Sequence, residues 1–181
     1  MALILLLGGA RSGKSALAVD LAHASGLPVT FVATAEARDA EMAERIARHR
    51  ATRPAQWRTV EEPVDLRAAL DEAGGHACLV VDCLSLWIAN LLERSWREQA
   101  IEEEARALAD LAAGRTPLTA VVTNEVGLGI VPSTPLGRSY RDLLGRVNAT
   151  WAASAATSAL VVAGRPLPLA RPGAIFPELD G

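Results

Sequence analysis

Gly8-Gly9-Ala10-Arg11-Ser12-Gly13-Lys14-Ser15 reads G-x-x-x-x-G-K-S directly after the apolar run Leu3 to Leu7. That spacing wraps backbone N–H groups around a phosphate, and the helix that begins at the loop adds the positive end of its dipole. Lys14 is placed to reach the β and γ phosphates of a nucleotide, and the Ser15 hydroxyl to sit on Mg²⁺. Lys14 is also the only lysine in the chain, every other long basic side chain being arginine. A general preference for arginine explains the rest; the lysine survives where a compact ammonium is needed. Mg-nucleotide chemistry also requires an acid at the tip of a second strand. Asp82, ending the apolar run Cys78-Leu79-Val80-Val81, fits that role, directly or through a metal-bound water. The competing role for Asp82 is a cap on the helix expected from Ser85.

A second group of chemical interest lies between Arg38 and Arg53. Residues 42, 45, 46 and 49 share one face at helical spacing, which sets His49 over Arg45 and Ile46 near a helix end. Taken alone, a histidine there is a surface residue favoured by the helix dipole. Its chemical reading is as a nucleophile, since an imidazole nitrogen without a proton attacks phosphorus, with neighbouring arginines to hold the phosphates. His23 and His76 have no such neighbours and read as surface residues.

These residues need a scaffold. Apolar strand candidates at 2–7, 29–34, 78–82, 118–123 and 159–163 alternate with helical patterns at 14–24, 39–51, 64–73, 85–92, 97–113 and 136–157. The alternation predicts a mostly parallel sheet with helices on both faces, of the P-loop NTPase type and RecA-like. A chain of 181 residues, half of them hydrophobic, makes one domain over residues 1–181. Its net charge of −3, without a basic run, argues against nucleic acid or a charged membrane surface as partner. The first apolar run is too short for a signal segment and no stretch approaches a membrane span, so a cytoplasmic protein is expected. Cys78 and Cys83 flank one strand, belong to no Cys/His cluster and read as buried small residues. The loop from Gly127 to Pro135 lies where such folds keep ligand contacts, and the proline-rich stretch from Arg165 to Pro172 is either an edge strand or a tail. Arg138, Arg141 and Arg146 read as a solvated helix face, with Asp142 as an ion-pair partner.

The phosphate loop, Ala33-Thr34-Ala35, the run Asp39 to Pro54, Trp57-Arg58-Thr59, Val81-Asp82-Cys83-Leu84 and Thr123-Asn124-Glu125-Val126-Gly127 to Pro132 occur in that order over nearly the whole chain. Together they resemble the bifunctional adenosylcobinamide kinase/adenosylcobinamide-phosphate guanylyltransferase family of cobalamin biosynthesis. The resemblance implies two reactions, both with Mg²⁺. The aminopropanol hydroxyl of adenosylcobinamide is phosphorylated from ATP or GTP; GMP then passes from GTP through an enzyme histidine to adenosylcobinamide phosphate, giving adenosylcobinamide-GDP. It implies His49 as the guanylylated residue and Lys14 as the other catalytic one. Nucleotide contacts fall on Gly8, Gly9, Ala10, Arg11, Ser12, Gly13, Lys14, Ser15, Ala33, Thr34, Ala35, Arg50, Ala51, Thr52, Arg53, Glu61 and Asp82, and metal contacts on Ser15 and Asp82. A homo-oligomer, a trimer in relatives, is implied as well. Some relatives carry two adjacent histidines where this chain has Arg48-His49, which leaves His49 alone for the role. Glu61 reads equally as an acid favoured before a helix and as an acceptor for a guanine or ribose.

Two other readings stay open on sequence: a plain small-molecule kinase in which His49 is structural, and a nucleotide-dependent switch. The second is weakened because no N-K-x-D element occurs.

Overall fold

The computed structural model describes residues 3–51 and 53–179; Thr52, an expected nucleotide contact, lies outside the described residues. The strands are β1 (Leu3–Gly8), β2 (Val29–Ala33), β3 (Arg58–Glu61), β4 (Cys78–Asp82), β5 (Thr119–Asn124), β6 (Thr157–Val162) and β7 (Arg165–Leu169). They form one sheet in the order β3-β2-β4-β5-β1-β6-β7, parallel throughout except for the antiparallel β6–β7 pair. The helices are α1 (Lys14–Ala24), α2 (Ala40–Ala51), α3 (Leu66–Ala73), α4 (Leu84–Glu93), α5 (Glu98–Ala113), α6 (Pro135–Ser154) and the short α7 (Pro172–Ile175). The expected mostly parallel sheet with helices on both faces is the arrangement found.

The central strands are mostly apolar because both faces are covered, with threonines at Thr30, Thr119 and Thr123 buried among them. Leu3, Leu5, Leu7, Val32, Leu79, Val81 and Val121 point to one side, where α3, α4, α5 and α6 bring Leu70, Trp87, Leu108 and Trp151 against them. Leu6, Phe31, Val80, Ala120 and Val122 point to the other, which α1 covers with the small residues Ala18 and Ala22. In contrast, α2 buries no residue at all. Most of its residues are alanine, glutamate or arginine, and it stands beyond the carboxyl edge of the sheet instead of on its face.

Two strands lie outside the five expected apolar runs: β3, which is not expected, and β7, the edge strand that is one of the two readings for Arg165 to Pro172. β3, Arg-Thr-Val-Glu, is four residues long and half exposed, so it carries no apolar run to betray it. β7 contains Pro166 and Pro168, opposite Val161 and Ala159 of β6. Only Arg165, Leu167 and Leu169 have N–H groups to donate, so the ladder runs through them and the prolines turn toward the open edge. α6 ends at Ser154, three residues before the expected limit, because β6 claims Thr157 for the ladder with Ile4. Its start is fixed by Thr134, whose side chain accepts from the Gly137 N–H, with proline at the first turn. The histidines His23 and His76 are exposed, and Cys78 and Cys83 are buried free thiols, both as expected.

Candidate active site

The parallel register brings five strand ends to one edge. Gly8 pairs with Asn124, Ala33 with both Glu61 and Asp82, and Asp82 with Val122. Ligands of open parallel sheets bind at this carboxyl edge, and the candidate residues gather there.

The phosphate loop is closed on itself and braced from outside. The Lys14 ammonium donates to the Gly9 carbonyl at 2.9 Å, and the Gly164 N–H, from the β6–β7 turn, donates to the Ser12 carbonyl at 2.7 Å. Gly13 has φ +96°, and a Cβ there would come within 2.9 Å of the Gly164 Cα. Both facts demand glycine. Helix α1 begins after Gly13 with no side-chain cap and no acid in its first turn, so its leading N–H groups remain for an anion. The Ser12 hydroxyl is buried, and no described residue bonds it. Burial draws the Lys14 ammonium below its ordinary value, against the opposing pull of Cys83 and Asp82.

Asp82 lies beside this loop at the tip of β4, joined to Cys83 by a cis peptide. Helix α4 starts after Cys83 with no side-chain cap, so the capping role considered for Asp82 is not the one it plays. Asp82 and Ser15 line two cavities together, of about 350 and 150 Å³. A hydroxyl and a carboxylate facing one space are hard oxygen donors suited to Mg²⁺ that keeps several waters. Among the described residues there is no cluster of three His, Cys, Asp or Glu.

His49 faces the same space. The residue lines both of those cavities and a third, of about 480 Å³, that runs along Arg11, Ser12, Gly13 and Lys14. The face of α2 expected from helical spacing is the one turned inward: Met42, Arg45, Ile46 and His49 all line the 150 Å³ cavity opposite Ala33, Ala35 and Leu86. Ala33 and Ala35 therefore line the same cavity as Lys14, Ser15 and His49. Arg53 lies over the Phe31 ring at 3.7 Å from its centroid and lines the cavities with Asp82. Burial lowers its pKa, partly offset by Asp82.

Other residues expected to contact the nucleotide do not line these three cavities. Thr34 is fully buried; its hydroxyl accepts from the Cys83 N–H and donates to the Cys83 carbonyl, each at 2.8 Å. Its side chain ties the end of β2 to the residue after Asp82. Thr34→Val would strand both Cys83 groups and is expected to cost about 2–4 kcal/mol, read as a lower urea midpoint. Thr34→Ser keeps the hydroxyl and is expected to cost no more than about 1 kcal/mol; an equal loss in both variants would dismiss the clamp. Arg50 pairs with Glu61 at 3.2 Å, both exposed, and neither lines a cavity described here. Ala51 is exposed at the end of α2. The helix preceded by Glu61 is capped instead by Asp65, with Glu62 accepting from the Val64 and Asp65 N–H groups, so the helix-dipole explanation does not fall on Glu61. Gly8 is buried at the end of β1, and Gly9 and Ala10 are exposed at the loop's rim.

Arg48, Glu41 and Glu44, to which sequence gave no role, line the groove along the phosphate loop with Arg45. Their spacing of three and four residues was the available signal. Thr123 is buried and bonded to Asn148 at 2.7 Å, while Asn124 reaches the 150 Å³ cavity. Arg141 pairs with Asp142 as expected, whereas Arg146 reaches Glu98 and Glu102, and Arg138 closes the loop through the Pro132 and Ser133 carbonyls.

A parallel sheet with a glycine-rich anion loop, a lysine folded into that loop and an acid two strands away defines a P-loop nucleotide-binding protein. A family model described as cobinamide kinase / cobinamide phosphate guanyltransferase matches residues 4–169. The chain belongs to that family of enzymes. It is 48% identical over 166 residues, 91% of this chain and 95% of the relative, to the bifunctional adenosylcobalamin biosynthesis protein CobP of Pseudomonas aeruginosa. It is 41% identical to the bifunctional adenosylcobalamin biosynthesis protein CobU of Escherichia coli, over 90% of this chain and 96% of that one. The CobU protein of Salmonella typhimurium matches at the same identity and coverage. Among solved structures, the RadB recombinase matches with a TM-score of 0.49 and 16% identity, over 88% of this chain and 73% of that one.

Proposed function

We propose that this single domain carries out both reactions on one carboxyl edge. Adenosylcobinamide is first phosphorylated on its aminopropanol hydroxyl from ATP or GTP, with Lys14 and the loop N–H groups holding the β and γ phosphates. His49 then attacks the α-phosphorus of GTP. An N–P bond forms, the bond to the α–β bridging oxygen breaks, and pyrophosphate leaves toward Arg45, Arg48 and Arg53. The phosphate of adenosylcobinamide phosphate next attacks the same phosphorus, the N–P bond breaks, and adenosylcobinamide-GDP is released with the imidazole restored. A covalent step avoids setting two anions directly against each other, because the first attacker is an uncharged ring nitrogen. Mg²⁺, held by Ser15, Asp82 and the phosphates, would neutralise charge on the nucleotide.

The observation that supports this most is that His49, from α2, and Lys14 and Ser15, from the phosphate loop, line common cavities. A helix that buries no residue is free of core packing and can adjust over a nucleotide. We further propose a cytoplasmic homo-oligomer, a trimer as in the resemblance. The exposed Leu128, Ile130 and Val131, the last of these 62% accessible and the others more so, offer apolar contact area for a second copy or for the corrin. No described helix is long and apolar enough to cross a membrane.

The test follows the phosphorus atoms. Adenosylcobinamide, γ-labelled ATP and Mg²⁺ should give labelled adenosylcobinamide phosphate. Adding unlabelled GTP should then move that label, intact, into adenosylcobinamide-GDP. A product that gains GMP but lacks the label, or no phosphorylated cobinamide at all, overturns the order of reactions.

A further inference from the structure

In the sheet, β5 stands between the phosphate-loop strand β1 and the Asp82 strand β4. Its last residue, Asn124, is in register with Gly8, two positions beyond the Val122–Asp82 pair. Asn124 lines the 150 Å³ cavity together with Lys14, Ser15, His49 and Asp82. No feature of the nucleotide scheme above uses it.

The side chain is held in one orientation. Its Nδ2 donates to the Ser85 Oγ at 3.0 Å, and that buried oxygen is also 2.9 Å from the Cys83 Sγ. Ser85 is anchored in turn, its carbonyl accepting from the Tyr140 hydroxyl at 3.0 Å. The Asn124 carbonyl accepts from Asn148 Nδ2 at 3.0 Å, which fixes the backbone as well. The Ser85 bond takes one of the two amide N–H groups and holds the nitrogen against the start of α4, which leaves the amide oxygen Oδ1, on the other arm of the planar amide, as an acceptor.

A neutral acceptor is an unfavourable neighbour for a phosphoryl oxygen, which is itself an acceptor, and an amide does not take up a proton near neutral pH. It suits a hydroxyl. Accepting the hydrogen of an alcohol turns the alcohol's lone pair away from the amide and toward an electrophile. We infer that Asn124 orients the aminopropanol alcohol of adenosylcobinamide for in-line attack on the γ-phosphorus. This rests on the two-reaction reading above. In the step, the alcohol oxygen bonds to the γ-phosphorus, the bond from that phosphorus to the β–γ bridging oxygen breaks, and the nucleoside diphosphate leaves. The alcohol proton passes to an oxygen of the transferred phosphoryl group and then to water, as a loose transition state allows without a strong base. Guanylyl transfer has no such need. Its attackers are an imidazole nitrogen and a phosphate, neither of which brings a hydroxyl to be aimed, so Asn124 serves phosphorylation specifically.

The test separates the two reactions in one preparation. Asn124→Ala is expected to lower kcat for adenosylcobinamide phosphorylation about 100-fold, with the KM for ATP and the initial rate of protein guanylylation from α-labelled GTP each within about threefold of wild type. Ser85→Ala removes the amide's anchor and leaves the strand end in place; it is expected to lower the same kcat by about tenfold. Equal loss of both reactions in a variant with an unchanged melting curve, a raised KM for ATP at normal kcat, or no loss in either variant overturns the assignment. Should Asn124→Ala fail to fold, Ser85→Ala alone decides by the same criteria. Wild-type protein that neither phosphorylates cobinamide nor takes up label defeats the underlying two-reaction reading instead, whatever the variants do.

Discussion

Protein carrying His49→Ala, incubated with α-labelled GTP and Mg²⁺, takes up no acid-labile, base-stable label, whereas wild type does. The expected loss of cobinamide guanylylation is on the order of 10⁴-fold or more, because removing a covalent nucleophile removes the pathway and not one contact within it. The prediction is specific in its chemistry. A phosphoramidate on a ring nitrogen is cleaved by acid and survives base, the opposite of a phosphoester on Ser15 or Ser12. It is also specific in position. His49 is the one histidine lining the loop's cavities, His23 and His76 being exposed elsewhere. Equal label on variant and wild type would leave a phosphotransferase in which the histidine has no covalent part.

The second large effect is at Lys14. Replacing it with alanine is expected to reduce cobinamide phosphorylation by about 10³-fold, or about 4 kcal/mol of transition-state stabilisation. Lys14→Arg should not recover it, since a planar guanidinium does not fit where a compact ammonium sits 2.9 Å from the Gly9 carbonyl inside the loop. The pH dependence has a definite sign. The ammonium holds phosphates only while protonated, and burial lowers its pKa from the usual 10.5. In the free enzyme the cation is therefore lost on raising the pH before an ordinary lysine would lose it, and the KM for ATP should climb in that alkaline range. Bound phosphates draw the proton back, so binding there is accompanied by proton uptake, measurable by calorimetry in buffers of different ionisation enthalpy. Phosphorylation by Lys14→Ala at the wild-type rate would remove the loop from the chemistry altogether.

What could be read in advance was what the chain determines locally. Strand β1, the loop and α1 follow one another without help from distant residues, and α1 runs from Lys14 to Ala24 as its spacing predicts. The face of α2 bearing Met42, Arg45, Ile46 and His49 was legible for the same reason. Beyond that, the side chains at strand tips depend on which strands are neighbours. Thr34 and Asn124 are both small polar residues at the end of an apolar run. Only the placement of β2 against β4 turns Thr34 inward onto Cys83, and only the placement of β5 beside β1 sends Asn124 toward the cavity. The Arg50–Glu61 pair is of the same kind, because it requires β3, a strand too short and polar to be seen beforehand.

The outer side of β7 has a consequence for assembly. With Pro166 and Pro168 on the free margin, a strand from another molecule meets carbonyls there and too few donors, so copies cannot join edge to edge into a continuous ribbon. Association at this margin is left to side chains such as Leu167, 59% accessible. The same hairpin carries Gly164, which grips the Ser12 carbonyl. The margin and the phosphate loop are thus joined by a single hairpin, whose turn donates one backbone bond to the loop.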